Sequence, residues 1–161
     1  MLAKLLKNDN GFSAVYERQY SKPVEFVWAL LVNNENFKHW MDHLEITDLS
    51  KGGNINFNYN DGSGKFEKFK ITDYVEGSVL EFEWGEDIVR FEVLPSDQGS
   101  KLVMTEFINN LTDHTPNDLA GWHVCLLRFS NLVNDLPDDV PEKEWEIWYE
   151  EYKKLVEEVK S

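Results

Sequence analysis

Between His43 and Asn109 the chain is cut five times by clusters rich in glycine, asparagine, aspartate and serine, and the pieces between them alternate apolar with polar residues. The clusters are Lys51-Gly52-Gly53, Asn60-Asp61-Gly62-Ser63-Gly64, Glu76-Gly77-Ser78, Gly85-Glu86-Asp87 and Pro95-Ser96-Asp97-Gln98-Gly99. Alternation of period two gives a strand one apolar face, and turns this short join only antiparallel neighbours. Five turns therefore predict about six strands in a meander.

The flanking segments supply helices to cover that face. Gly11 to Tyr20 reads as a strand through Phe12, Ala14, Val15, Tyr16 and Tyr20. Ser21 is placed as a helix N-cap, with Pro23 in the first turn, Glu25 at the positive helix end, and Val24, Val27, Trp28 and Leu31 on one face. After Asn33-Asn34 a second short helix carries Phe37 and Trp40. A long helix is predicted from about Asn117 to Leu136, where Leu119, Trp122, Leu126, Phe129 and Val133 form one stripe, widened by Cys125 and Leu136. Pro137 and Pro141 end it. A terminal amphipathic helix over 141–160 repeats the pattern with Trp145, Trp148, Tyr149, Tyr152, Leu155, Val156 and Val159.

A chain of 161 residues with 42% hydrophobic and 14% aromatic side chains fits one domain with one core, preceded by an extension over residues 1–10. The net charge of −14 argues against nucleic acid and anionic membranes as partners, because both are bound through cations. Most of that charge comes late: residues 1–80 carry 9 basic and 11 acidic side chains, residues 81–161 carry 7 and 19. A lone cysteine, Cys125, excludes an intrachain disulfide and any multi-cysteine metal cage. The apolar start Met1 to Leu6 is broken by Lys4, and no stretch approaches the ~20 apolar residues that span a bilayer. A cytoplasmic location is the expectation.

The order of strand, two short helices, meander, long helix and end helix resembles the START-like (SRPBCC) helix-grip superfamily. Within it, the chain is similar to the branch named for homologues of the activator of heat-shock protein 90 ATPase. The resemblance rests on PVEFVWALL (Pro23 to Leu31), the later Trp40, Gly52-Gly53 before a strand, Leu80 and Trp84 in a central strand, and Gly121-Trp122 on the long helix. It covers nearly the whole chain from about residue 12. It implies an α+β helix-grip fold: an antiparallel sheet of about six to seven strands wrapped around the long C-terminal helix, with a cavity between them.

The cavity's chemistry follows independently from register, since a slip of one residue turns every side chain to the other face. Pairing Phe82 with Phe91, Leu80 with Val93 and Trp84 with Val89 buries six apolar side chains. It also sets Glu83 beside Arg90 and Glu81 beside Glu92, the second pair unfavourable. In the preceding hairpin, Phe57 with Phe69 and Ile55 with Ile71 bury four more and bring Tyr59 and Glu67 to the inner face near the hairpin mouth. The same parity puts Asp73 inside, and Glu106 beside Leu102, Met104 and Ile108. A mostly apolar pocket with a few orienting polar groups is the usual design of a small-molecule site. The expected lining is Phe57, Tyr59, Glu67, Phe69, Phe82 and Trp84, with Phe91, Met104 and Glu106 beyond them and Trp122, His123 and Leu126 on the helix.

Other chemistry is weaker. His39 and His43 have the HxxxH spacing, but Trp40 stands where a zinc protease has its glutamate, so no metal and no cofactor are expected. Cys125 and His123, two apart on a helix, point in opposite directions and form no nucleophile pair. The stripe of Trp145, Trp148, Tyr149 and Tyr152 either packs on its own domain or docks a partner, a chaperone or a second copy. The leading expectation is non-enzymatic binding of a small hydrophobic or aromatic ligand: a lipid, a flavonoid or a polyketide-like compound. A co-chaperone stimulating the heat-shock protein 90 ATPase, which the family name implies, comes second. A polyketide cyclase- or aromatase-like enzyme, by analogy with helix-grip relatives, comes third.

Overall fold

The computed structural model describes residues 1–160, and in it each of the five clusters joins two neighbouring antiparallel strands. In chain order the strands are β1 (Lys4–Asn8), β2 (Gly11–Tyr20), β3 (Leu44–Asp48), β4 (Asn54–Asn58), β5 (Phe66–Val75), β6 (Val79–Trp84), β7 (Asp87–Ser96) and β8 (Gly99–Ile108). They form one sheet in the order β1-β2-β8-β7-β6-β5-β4-β3. The count of eight exceeds the expected six to seven because part of the segment read as an extension is itself a strand. β1 turns back at Asp9-Asn10 and pairs Leu5 with Ala14, both buried. Its Lys4 and Lys7 sit on an outer edge strand, where lysine discourages pairing with another chain.

The helices are α1 (Val24–Val32), α2 (Asn34–Trp40), α3 (Thr115–Val133) and α4 (Glu142–Lys160). Val27, Trp28 and Leu31 of α1 and Phe37 and Trp40 of α2 are buried, as their spacing requires. Ser21 is not the cap of α1; extended Pro23 precedes the helix and no side chain caps it. Asn33 caps α2 by accepting the Glu35 N–H at 2.9 Å. α3 starts two residues before the expected Asn117, with Pro116 in its first turn, where the missing N–H costs nothing. Strands from across the sheet reach α3. The Tyr16 hydroxyl of β2 donates to the Leu119 carbonyl at 2.9 Å, while Trp84 of β6 and Phe91 of β7 lie 4.9 and 6.0 Å from the Trp122 ring. The sheet thus wraps the long helix, the α+β helix-grip arrangement.

Both predicted hairpin registers are displaced by two residues, which preserves every face while changing every neighbour. Leu80 faces Phe91 and Phe82 faces Val89, because a two-residue turn closes the hairpin at once. Gly85 stands at its first central position with φ of 62°, the conformation of a type II′ turn. The shift puts Glu81 opposite Arg90 instead of Glu92. Arg90 then reaches three carboxylates, those of Glu81, Asp73 and Glu92, at 2.9, 3.0 and 3.6 Å. Asp73, expected inside, lies in this outer cluster because an irregularity between Ile71 and Asp73 resets the parity of β5. In the other hairpin Ile55 faces Phe69 and Phe57 faces Glu67.

The turn before β4 is closed by backbone. Gly53 N–H donates to the Ser50 carbonyl at 2.8 Å, and its own carbonyl accepts the Ile71 N–H at 2.9 Å. A Cβ at Gly53 would stand 2.0 Å from the Asp48 carbonyl oxygen, backbone that cannot move aside cheaply. Gly53→Ala is expected to destabilise the fold by about 1–3 kcal/mol, the usual cost of forced overpacking, read as a lower urea midpoint with unchanged slope.

Candidate functional site

Beside the N-terminal end of α3 the sheet opens into a cavity of about 430 Å³. One wall is aromatic: Phe57 of β4, Phe69 of β5 and Trp84 of β6, with the Trp84 ring 5.4 Å from Phe57 and 5.8 Å from Phe69, edge to face in both cases. The opposite wall is polar and comes from the Gly85-Glu86 turn, Asp87, the end of β8 with Glu106 and Ile108, the loop into α3 with Asn109, Asn110, Thr112 and His114, and the first turn of α3 with Thr115 and Asp118. That loop is pinned to the hairpin tip. The Asn109 N–H donates to Asp87 Oδ1 at 3.0 Å and its side-chain amide donates to the Glu86 carbonyl.

Register explains the convergence. Asp87 faces Trp84 directly across the β6–β7 turn, and Val89, two residues on and on the same face, sits opposite Glu106. Asp118 is one helical turn before Trp122, so it projects toward the sheet near Trp84, and the Trp84 indole N–H donates to Asp118 Oδ1 at 3.1 Å. Glu106 is 0% exposed, and neither of its oxygens receives a hydrogen bond from a donor among the described residues. The group it meets is the Asp118 carboxyl, with which it hydrogen-bonds only when one of the pair holds a proton. Burial first, then Asp118 and the charge of Asp87, hold the Glu106 carboxyl well above the ordinary carboxylate range. Burial also raises Asp87, against the Asn109 N–H that it accepts.

Of the residues read from the sequence, Phe57, Glu67, Phe69, Trp84 and Glu106 come together on the cavity. Tyr59 stands half-exposed beside Phe57, 6.2 Å ring to ring, outside the lining. Phe82, Phe91, Met104, Trp122 and Leu126 do not line it. They are packed solid behind it, where β6, β7, β8 and α3 close on one another. His123 is not at the cavity margin. It turns to α4, where its Nδ1 and the Tyr152 hydroxyl share a hydrogen bond at 2.6 Å and its ring stacks on Trp148 at 4.0 Å. Tyr152 is itself 0% exposed, its oxygen also accepting the Ala3 N–H at 3.0 Å, so the α4 stripe packs on its own domain and Tyr152 is closed to a partner. The rest of the lining was missed: the β6–β7 turn with Asp87, and the stretch from Ile108 through His114 and Thr115 to Asp118. Asp118 was findable, standing four residues before Trp122 on the same helical face.

His39 and His43 part company: His39 stands in the last turn of α2 and donates to Asp138 at 2.8 Å, whereas His43 lies beyond the helix, donates to the Asn58 carbonyl at 2.7 Å and stacks on Phe57. Among the described residues no group of three or more His, Cys, Asp or Glu is placed to hold a metal ion. Cys125 points to Met41 Sδ at 3.7 Å, and burial pushes its thiol up to about 12. Among the described residues no helix is long and apolar enough to cross a membrane.

The family model for activator of Hsp90 ATPase homolog 1-like protein matches residues 21–134, which include every residue lining the cavity. The fold is similar to that of a conserved protein of unknown function, EF2215, from Enterococcus faecalis, at 24% identity over 97% of this chain and 91% of that one, with a TM-score of 0.82. It is also similar to CalU16 from Micromonospora echinospora, at 18% identity over 96% and 97% of the two chains and a TM-score of 0.75. An AHSA1-like protein from Aeromonas hydrophila superposes at 20% identity over 76% and 92%, with a TM-score of 0.62. No curated protein matches the chain.

Proposed function

This chain belongs to the activator of Hsp90 ATPase homolog 1-like family, and on that fold we propose that it is a non-enzymatic binding protein whose cavity takes a small ligand with an apolar or aromatic body. The observation that carries this reading is the incomplete closure of the aromatic face. Phe82 and Phe91 are sealed, yet Phe57, Phe69 and Trp84 remain partly exposed and bound an open volume of about 430 Å³. That volume lies in the range of ligand sites, roughly 300–1,000 Å³. Large aromatic surface left in water near a concave wall is costly unless something occupies it.

The test is a screen of fatty acids, flavonoids and polycyclic polyketide-like compounds by native mass spectrometry, followed by chemical-shift mapping. A binder is expected to form a one-to-one complex and to shift the Trp84 indole N–H and the amides of Asn109 and Thr115, while leaving the Tyr152–His123 contact unmoved. Asn110→Trp, which places an indole at the exposed rim of the cavity, is expected to remove that binding with little change in stability, since surface substitutions usually stay within about 0.5 kcal/mol. Failure of the whole panel, together with stimulation of a heat-shock protein 90 ATPase by the chain, would replace this reading with the co-chaperone one.

A further inference from the structure

The cavity's polar wall is of one sign. Glu67, Glu86, Asp87, Glu106 and Asp118 line it, and among the described residues no lysine or arginine does and His114 is the one basic side chain. Acids alone would say little, since a run of carboxylates is most often a solvated surface. Glu106 is different: it is fully buried, it faces the cavity, and its oxygens have no protein donor among the described residues. On β8 it stands between Met104 and Ile108, both buried, where an apolar side chain would pack without penalty. A buried acid whose one polar neighbour is a second carboxyl, Asp118, is destabilising once both ionise, and such pairs persist where an external cation completes them. Across the cavity stand the Trp84, Phe57 and Phe69 rings. Aromatic rings attract a positive charge, most strongly where water is excluded.

We infer that the cavity's ligand is a cation on an aromatic or apolar body, an arylalkyl amine or its quaternary counterpart, with its ammonium at Glu106 and Asp118 and its body against Trp84, Phe57 and Phe69. This rests on the binding reading above and narrows it, because fatty acids and other carboxylates would bring negative charge to a wall that already repels it. The protein's net charge of −14 draws a cation in and slows the approach of an anion.

Three probes of one shape separate the possibilities: phenethylamine, 2-phenylethanol and 3-phenylpropanoate, each titrated while the Trp84 indole N–H is followed by NMR. The amine is expected to bind at least about tenfold more tightly than the alcohol, the scale of one desolvated charge-assisted contact, and the propanoate to bind weakest. The near-isosteric double variant Glu106→Gln with Asp118→Asn is expected to erase the amine's advantage while keeping its affinity for the alcohol.

A second readout needs no variant. The titratable groups facing Glu106 are Tyr16 from β2, Glu67 from β5, Glu86 and Asp87 from the β6–β7 hairpin, and His114 and Asp118 at the start of α3. Raising the pH ionises Glu106 and Asp87, whose carboxyls burial holds above the ordinary range, and each ionisation favours the cation. Amine affinity is therefore expected to rise between about pH 5 and 8, where an alkylammonium keeps its proton, and binding to release protons to the buffer. If the alcohol or the propanoate binds as tightly as the amine, the cation inference falls while the cavity reading stands. If the probes and the compound panel above all leave the Trp84 signal unmoved, both fall together.

Discussion

Ending the chain after Leu136 is expected to abolish its cooperative thermal transition. α4 contributes Tyr152 and Val156, both buried, and Trp145, Trp148, Tyr149 and Leu155, all partly buried against the core. Each fully buried large apolar side chain stabilises by about 1.5–3 kcal/mol, and a domain's net stability is only about 5–15 kcal/mol. Two full and four partial burials are therefore of the same order as the whole. The polar losses add to this, since truncation strips the Ala3 N–H of its acceptor and His123 Nδ1 of its hydrogen-bond partner. His123 also reports the event. In the intact chain burial, with the positive charges of Arg18 and the N-terminus, pushes its pKa down to about 3. A histidine so depressed contributes stability above its unfolded value of ~6.5 that is lost as the pH falls toward 3. Its ring protons should therefore not titrate between pH 8 and 5 in the full chain. Circular dichroism melts and gel filtration of the truncated protein decide the matter. A sharp transition near that of the parent, in a monomer, would mean that α4 adds little to the core and is free to dock elsewhere.

The architecture was legible where one periodicity ran long enough to exclude the other. Five turn clusters gave six strands, and the stripe from Leu119 to Val133 gave the helix they wrap. β1 escaped because Leu5 is its one buried side chain, and the Asn8-Asp9-Asn10-Gly11 turn lay next to a short apolar start broken by Lys4. Register was half legible. Counting buried apolar residues distinguishes the two faces of a strand, but it does not see a slip of two, which leaves that count unchanged. What chose between the two pairings of β6 and β7 was local: a glycine suited to a two-residue turn and the contact of Arg90 with Glu81.

That slip also governs how much of the site could be foreseen. Parity alone brought Phe57, Phe69, Trp84 and Glu106 to one face, where the structure has them. Asp87 was hidden because the expected pairing of Trp84 with Val89 left it in the turn, whereas the shorter turn sets it opposite Trp84. The sealed residues Phe82, Phe91 and Met104 share that face too, with Trp122 and Leu126 packed on it from α3, and no pattern in the sequence says where along a strand the packing stops and the cavity begins. His123 was misplaced because a residue at the edge of a helical stripe goes to whichever neighbour covers it, and here that neighbour is α4.

Glu106→Gln is expected to make the protein more stable and a poorer receptor for amines. A buried acid without a protein donor costs about 1–3 kcal/mol relative to a neutral side chain of the same shape. At about 2–4 °C per kcal/mol for a chain of this size, the gain is several degrees at neutral or alkaline pH. Its sign and window follow from the raised pKa. The wild-type acid is comfortable while protonated, so its penalty is absent below the unfolded carboxylate value of ~4.3 and grows as the pH climbs through the raised folded value. Asp87, raised in the same direction, stays in place in both proteins and does not enter the difference. The two melting curves should therefore meet near pH 4 and separate as the pH rises above it. Glu67→Gln, at an exposed position on the mouth of the same cavity, should leave the melt unchanged within about 0.5 kcal/mol. A gain in stability paid for by lost recognition is how a binding group differs from a structural one. If Glu106→Gln instead lowers the melting temperature at every pH, the carboxyl is satisfied within the fold, and no ligand is needed to account for it.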